Sequence, residues 1–300
     1  ANAARLLVAL VVLGVIAFAT GRGLGTQLPA FVLAGAIGFG IGGLAMFRAL
    51  PLLGAPLASL LVETLAAFTA AVLAWVWFAD ELTAPVIAAS LVILVGVGLG
   101  LAPYLRGAGR GPGVRLGVGL AVLAAVAQGG SAVISRRALL AIQKATPVPG
   151  GPSHSLAYVS SAAFDRLIGG CAVAVLVLIV VRLAARRGAA ARRALVPAGA
   201  FAPAPVPARS ELGRFGSRLP DSPWFWVGAN ALFGPILGVT AMVWALQSLQ
   251  PGVVQAVAAM APLIAIPVAR WLEGYRPPRA YYLGAVVAVA GLVALALAQG

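Results

Sequence analysis

Nine apolar stretches divide the chain, at residues 4–20, 28–48, 56–79, 84–104, 114–135, 160–183, 223–248, 252–271 and 280–299. A bilayer core of about 30 Å needs about 20 apolar residues at ~1.5 Å rise per residue, and each stretch is near that length. Backbone polar groups in lipid have to be satisfied inside the protein, which helices do segment by segment. The expected fold is therefore all-α, a polytopic helical membrane protein. Internal Gly and Pro are compatible with this where neighbouring helices satisfy the freed groups. Composition excludes the main alternative: 62% of residues are hydrophobic, 9% are charged, and mean hydropathy is +1.03. A soluble domain carries about 25% charged residues, so a water-soluble enzyme is ruled out by surface alone. Residues 1–20 read as a membrane helix and not as a signal peptide, because no polar mature domain follows them.

The net charge of +14 comes from arginines placed between the apolar runs, the pattern of connecting loops and not of a nucleic-acid footprint. Arg48, Arg106, Arg110, Arg115, the arginines of 182–218, Arg276 and Arg279 fall on one side of the bilayer. Arg22, Arg136, Arg137 and Lys144 fall on the other. The positive-inside rule makes the first side cytoplasmic and puts the C-terminus outside. Cys171 and His154 are each single, which leaves no internal disulfide, no zinc set and no expected cofactor. Lys144 is the only lysine and is followed by Ala, so the phosphate-binding loop of an ATP-driven pump is absent.

A six-residue phrase occurs twice, AMFRAL at 45–50 and AMVWAL at 241–246, at an offset of 196 residues. Gly38 and Gly42 precede the first copy, and Gly234 and Gly238 precede the second at the same offset. The match extends as GFGIGGLAMFRAL on GPILGVTAMVWAL, and LAAFTAAVLAWVWFADEL is similar to AMAPLIAIPVARWLEGYR. Arg5, opening the first helix, corresponds to Arg166 opening the sixth, each followed by Leu. The second copy then has five helices and the first has four, with 114–135 lacking a counterpart before residue 1. A unit with an odd helix count inserts the next unit upside down, as in the inverted repeats of secondary transporters.

These features resemble the EamA-type transporters of the drug/metabolite transporter superfamily. The resembling residues are the paired helix ends Ala49-Leu50 and Ala245-Leu246, the acidic tip Asp80-Glu81-Leu82, Pro262, and the closing run GAVVAVAGLVAL. The resemblance implies a ten-helix plan of two inverted repeats, here 4+5 with the first helix missing. The first repeat would span 1–105 and the second 106–300, with a disordered Ala/Pro/Arg-rich loop at 184–222. The chain departs from the pattern at Tyr275, where a second acidic tip is expected, with Glu273 two residues earlier. The resemblance also implies an amino-acid-like or otherwise amphipathic substrate, and a bacterial-type plasma (inner) membrane.

Among residues that can carry chemistry, Glu63 stands out. It lies about 10 Å inside the helix that starts at Pro56, a depth at which an unpaired charge is costly. It reads either as a titratable or substrate-contacting carboxylate or as a structural partner of Arg48. Thr240, Trp244 and Gln247 are spaced to share one helix face, with Asn230 further up. Arg48 takes Trp244's position in the first copy, and the two line a cavity or anchor helix ends. Gln128 and Ser131, around Gly129-Gly130, and Gln255 suit either close packing or substrate contact. The repeated Gly pairs read as packing faces. Asp165 and Arg166 read as a local pair at the membrane surface, and Trp75, Trp77, Trp224 and Trp226 as an aromatic belt. No convergent acid, base or metal set is present, so an enzyme is not expected.

The sequence thus points to a secondary transporter of a small organic solute working by alternating access in a lipid bilayer, with the proton a candidate coupling ion. The alternative is a non-transporting membrane subunit or a lipid-moving scaffold partner. Oligomeric state and substrate identity are left open.

Overall fold

The computed structural model describes residues 2–20, 23–78, 83–105, 113–145, 156–195, 222–261, 263 and 278–299. Among these the chain is a bundle of nine helices without strands. They are α1 (Asn2–Ala19), α2 (Leu28–Leu53), α3 (Ala55–Phe78), α4 (Ala84–Leu101), α5 (Val114–Ala145), α6 (Leu156–Leu195), α7 (Pro223–Ala231 continuing through Leu232–Gly238 and Val239–Ala245), α8 (Pro251–Ala258) and α9 (Arg279–Gln299). Five helical segments are long and apolar enough to cross a membrane: Leu28–Leu53, Leu57–Phe78, Val114–Ala145, Ala157–Ala184 and Trp224–Ala245. Three shorter apolar helices accompany them, at Ala3–Ala19, Ala84–Gly100 and Arg279–Leu295.

Local chemistry explains several boundaries. Helices α2, α4, α7 and α8 each carry Pro in the first two positions, where a missing N–H costs nothing. Helix α2 ends at Gly54, whose φ of 79° suits Gly alone among common residues. Helix α6 runs twelve residues past the expected end at 183, to Leu195. The added segment AARRGAAARRAL is rich in Ala and Arg, both strong helix formers. Residues 184–195 of the stretch expected to be disordered are thus helical, and 196–221 lie outside the described residues. So do Asp80, Glu81, His154, Glu273 and Tyr275, and most of the second half of the run expected at 252–271. Helix α5 likewise continues past 135, to Ala145.

Helix α2 is not α-helical throughout. Residues Ala36–Gly42 form a π-helix, and so do residues Leu232–Gly238 of α7. The two wide segments lie 196 residues apart, at the offset of the sequence repeat. In the first, Gly38, Gly40 and Gly42 relieve side-chain crowding; in the second, Pro235 has no N–H to give to an α-helical turn.

Helix α1 packs on α6, α2 on both α5 and α6, α3 on α5 and α8, α4 on α9, and α7 on α1 and α6. One apolar core joins α1, α2, α5, α6 and α7 around Leu6, Phe31, Leu139, Leu167 and Val243. A second joins α4, α8 and α9 around Ile93, Val97, Val253 and Tyr281. Glycines bring backbones of neighbouring helices together directly. A Cβ at Gly35 would overlap the Arg166 carbonyl, and one at Gly284 would overlap the Gly100 backbone. In α2, Gly42, Ala45 and Ala49 are buried, and Gly42 closes on Ala124 and Ala127 of α5. Their equivalents Gly238 and Ala241 in α7 are exposed, so the repeated Gly pair is a packing face in one copy only. Large apolar side chains such as Phe68, Trp75, Leu176, Trp224 and Phe233 cover the exterior, as suits a surface in contact with lipid.

Candidate functional site

The polar groups inside the bundle gather on α5. Gln128, near its middle, donates from Nε2 to Glu63 Oε2 of α3 at 3.4 Å. Gln255 of α8 donates from its own Nε2 to the Gln128 backbone carbonyl at 3.4 Å. Gln255 is fully buried, whereas Glu63 and Gln128 keep partial exposure. The neighbouring Thr64 hydroxyl is buried without a hydrogen-bond partner. One carboxylate and two amides therefore meet where α3, α5 and α8 cross. Arg48 is exposed on α2, and the side chain bonded to Glu63 is Gln128. The expectation of an Arg48 partner for Glu63 is not met, because Arg48 points out of the bundle.

One turn further along α5, Ser131 is completely buried. Its Oγ donates to the Ala34 carbonyl of α2 at 2.7 Å and accepts from Arg166 Nη2 of α6 at 2.9 Å. Arg166 lies against the face of Phe39, 5.4 Å from the ring centre, and its Nη1 meets the Met242 sulfur at 3.9 Å. Its Nε is buried with no partner. Asp165 turns away, accepting from the Gly25 amide at 2.9 Å through Oδ2, while Oδ1 is buried and unpartnered. The expected surface pair between Asp165 and Arg166 is thus replaced by two buried groups with different neighbours. Successive side chains on a helix diverge by about 100°, which separates them.

The stripe expected on α7 does not hold together. Thr240 donates to the Ile236 carbonyl of its own helix, Trp244 projects outward, and Gln247 lies past the helix end at Ala245, buried. The helix stops before the third residue of the pattern, so a helical spacing no longer sets its direction. Arg136 Nη1 donates to the Leu246 and Gln247 carbonyls and Gln143 Nε2 to the latter at 3.1 Å, placing a cation at a helix C-terminus. Asn230 Oδ1, near the start of α7, accepts from Arg5 Nη1 at 2.9 Å.

Of the nine residues singled out from sequence, the structure brings together Glu63, Gln128 and Gln255, with Ser131 one turn away. Arg48, Asn230, Thr240, Trp244 and Gln247 stand apart from them. Arg166 was missed as an interior group because, beside Asp165 near the start of its apolar run, it reads as half of a pair at the membrane surface. The signal that could have found it is its repeat partner Arg5. Two open spaces flank the polar band. A groove of about 690 Å³ runs between α3, α4 and α8, lined by Ala67, Phe68, Trp75, Leu91 and Gly252 among others, and its first residue is one turn from Glu63. A smaller one of about 360 Å³ lies under the 24–27 turn, beside Phe31, Tyr158 and Ser161. Among the described residues no group of His, Cys, Asp and Glu is placed to hold a metal.

Residues 167–297 match the model of the EamA-like transporter family. Among solved structures, a crystal structure described only as that of a protein superposes with a TM-score of 0.62 at 20% identity. The superposition covers 99% of this chain and 88% of that one, a likeness of fold. No curated protein sequence matches the chain.

Proposed function

We propose that this chain, whose residues 167–297 match the model of the EamA-like transporter family, is a secondary membrane transporter that moves a small organic metabolite by alternating access. The moving parts are two oppositely oriented copies, residues 1–105 and 106–300, and the solute passes where they meet. The observation that carries this reading is the junction of Glu63, Gln128 and Gln255, which joins a helix of the first copy to two of the second. An ionisable residue in a membrane span marks a solute or proton path by default, since lipid gives it no reason to be there. Glu63 is the coupling group, exchanging a proton as the two copies rock, and the twin π-helical segments give each copy a turn that can change register.

The alternative is a lipid-moving partner, favoured by the apolar groove that opens outward between α3, α4 and α8. Uptake and efflux of a metabolite panel in proteoliposomes, with and without a pH gradient, separates the two. Gradient-driven movement of a water-soluble metabolite supports the transporter. Scrambling of labelled lipid with no solute movement supports the alternative.

A further inference from the structure

The groove between α3, α4 and α8 runs along one half of a membrane span. Helix α3 crosses as Leu57–Phe78, so Ala67 stands at its middle and Trp75 near its end. The groove residues of α3 run from Ala67 to Trp75, and those of α4 from Ile87 to Leu94. Helix α4 begins at Ala84, which puts Ile87 at the Trp75 end and Leu94 at the Ala67 end. At ~1.5 Å rise, the advance from 67 to 75 is about 12 Å, close to one leaflet of a hydrocarbon core about 30 Å thick. Trp75 marks the outer end at the depth where indole rings sit among headgroups.

The space exists because the two consecutive helices pack elsewhere. Helix α3 packs on α5 and α8, and α4 on α9. Close approaches of Gly96 to Ala288 and of Gly100 to Gly284 hold α4 against α9. The floor of the groove is made of small residues, Ala67, Ala71, Gly252 and Ala256. A Cβ at Gly252 would stand 2.8 Å from that of Ala71. The rims are large and exposed, with Phe68, Trp75 and Leu91 continuing the lipid-facing exterior. Ser90 and Trp75 carry the only polar side-chain atoms among the described lining residues.

An apolar space of about 690 Å³ at this depth gives water too few polar partners, and left empty it forfeits contacts along its walls. It opens onto the surface that lipid already covers, so a lipid chain is the occupant at hand. Lipid tails are as apolar as the walls, and what favours the groove over the rest of the exterior is fit. A chain lying in it meets side chains on several sides, where one on a flat helix face meets them on one.

We infer that the groove seats one bound phospholipid, with an acyl chain lying from Trp75 to Ala67 and its methyl end one turn from Glu63. The headgroup stays level with Trp75, since the walls further in offer it no partner, and the lipid belongs to the leaflet on the side where α3 ends and α4 begins. The seat goes beyond the transport reading and does not depend on it, because a chain held there is a fixture of the bundle whatever solute is carried.

The test uses the purified full chain in nanodiscs of phosphatidylcholine bearing a photoactivatable diazirine on one acyl chain, either beside the ester or at the methyl end. Cross-linked residues are mapped by peptide mass spectrometry. The methyl-end probe is expected to label around Ala67 and Leu94 and the ester-side probe around Trp75 and Ile87. Each should exceed the labelling of Leu176 and Phe233, exposed elsewhere on the exterior, by about tenfold, the ratio that ~1.4 kcal/mol of preference gives. Ser90→Trp places an indole in the groove and should lower labelling there to the level of Leu176 while leaving Leu176 unchanged. Should Ser90→Trp not fold, Leu94→Trp at the inner end serves, and is expected to remove the methyl-end labelling and spare the ester-side labelling. Labelling spread evenly over groove and exterior means bilayer lipid without a seat and overturns the inference. A groove left unlabelled while Leu176 and Phe233 label means that another chain or segment covers it, and overturns it too. So do depths in the reverse order, or groove labelling undiminished in the variant that folds.

Discussion

At the scale of single residues, Glu63 and Ser131 do different work on the same helix neighbour. Glu63 accepts one long hydrogen bond from Gln128 and stays partly open, so a neutral amide can replace it without stranding a charge. Glu63→Gln is expected to fold, to exchange solute, and to lose the response of transport to a pH gradient. Proteoliposome flux with and without the gradient measures this, and unchanged pH dependence removes the coupling role. Ser131 is structural as well as polar, since its hydroxyl joins α2, α5 and α6. Ser131→Ala takes away the one oxygen acceptor that Arg166 has among the described residues and is expected to cost about 1–3 kcal/mol, read as a lower unfolding midpoint. Glu63, Gln128 and Gln255 were legible in the sequence because a polar side chain in an apolar run has few explanations. Arg166 was not, because its burial depends on α2 and α7 closing over it, and no local pattern records that.

At the scale of elements, the apolar runs gave the helices and the prolines gave their starts, but two features depended on packing. The π-helical segments are as apolar as the α-helix around them and differ in hydrogen-bond register, so hydropathy cannot separate them. The repeated glycines were the trace they left. The second feature is how close α2 and α6 come. Gly35 and Gly169 let the two backbones touch, and a Cβ at Gly35 would sit inside the van der Waals radius of the Arg166 carbonyl. Gly35→Leu should therefore force the helices apart and destabilise the protein by about 1–3 kcal/mol or more, as overpacking does. Thermal unfolding against a control such as Gly98→Leu, where a Cβ meets nothing within 4 Å, checks it. Equal midpoints for the two variants would mean the α2–α6 contact is looser than described.

At the scale of the whole molecule, the account stands on two copies facing opposite ways. The 196-residue offset appears in the sequence, in the twin π-helical segments and in Gly38 and Gly234, the glycines that Arg166 and Arg5 approach. The helical bundle was readable from the nine apolar runs; the long connection after α6 was misjudged at its start because Ala and Arg favour helix while offering no apolar face. Which side faces the cytoplasm follows from the arginine balance and is separate from the inversion itself. The direct test replaces Cys171, the single cysteine, by Ala and introduces Leu52→Cys or Ser248→Cys, positions that differ by the repeat offset at the far ends of α2 and α7. Intact cells are treated with a membrane-impermeant thiol reagent, before and after permeabilisation. Two inverted copies place the two cysteines on opposite faces, so one labels in intact cells and the other only after permeabilisation. Labelling of both from the same side would contradict the account.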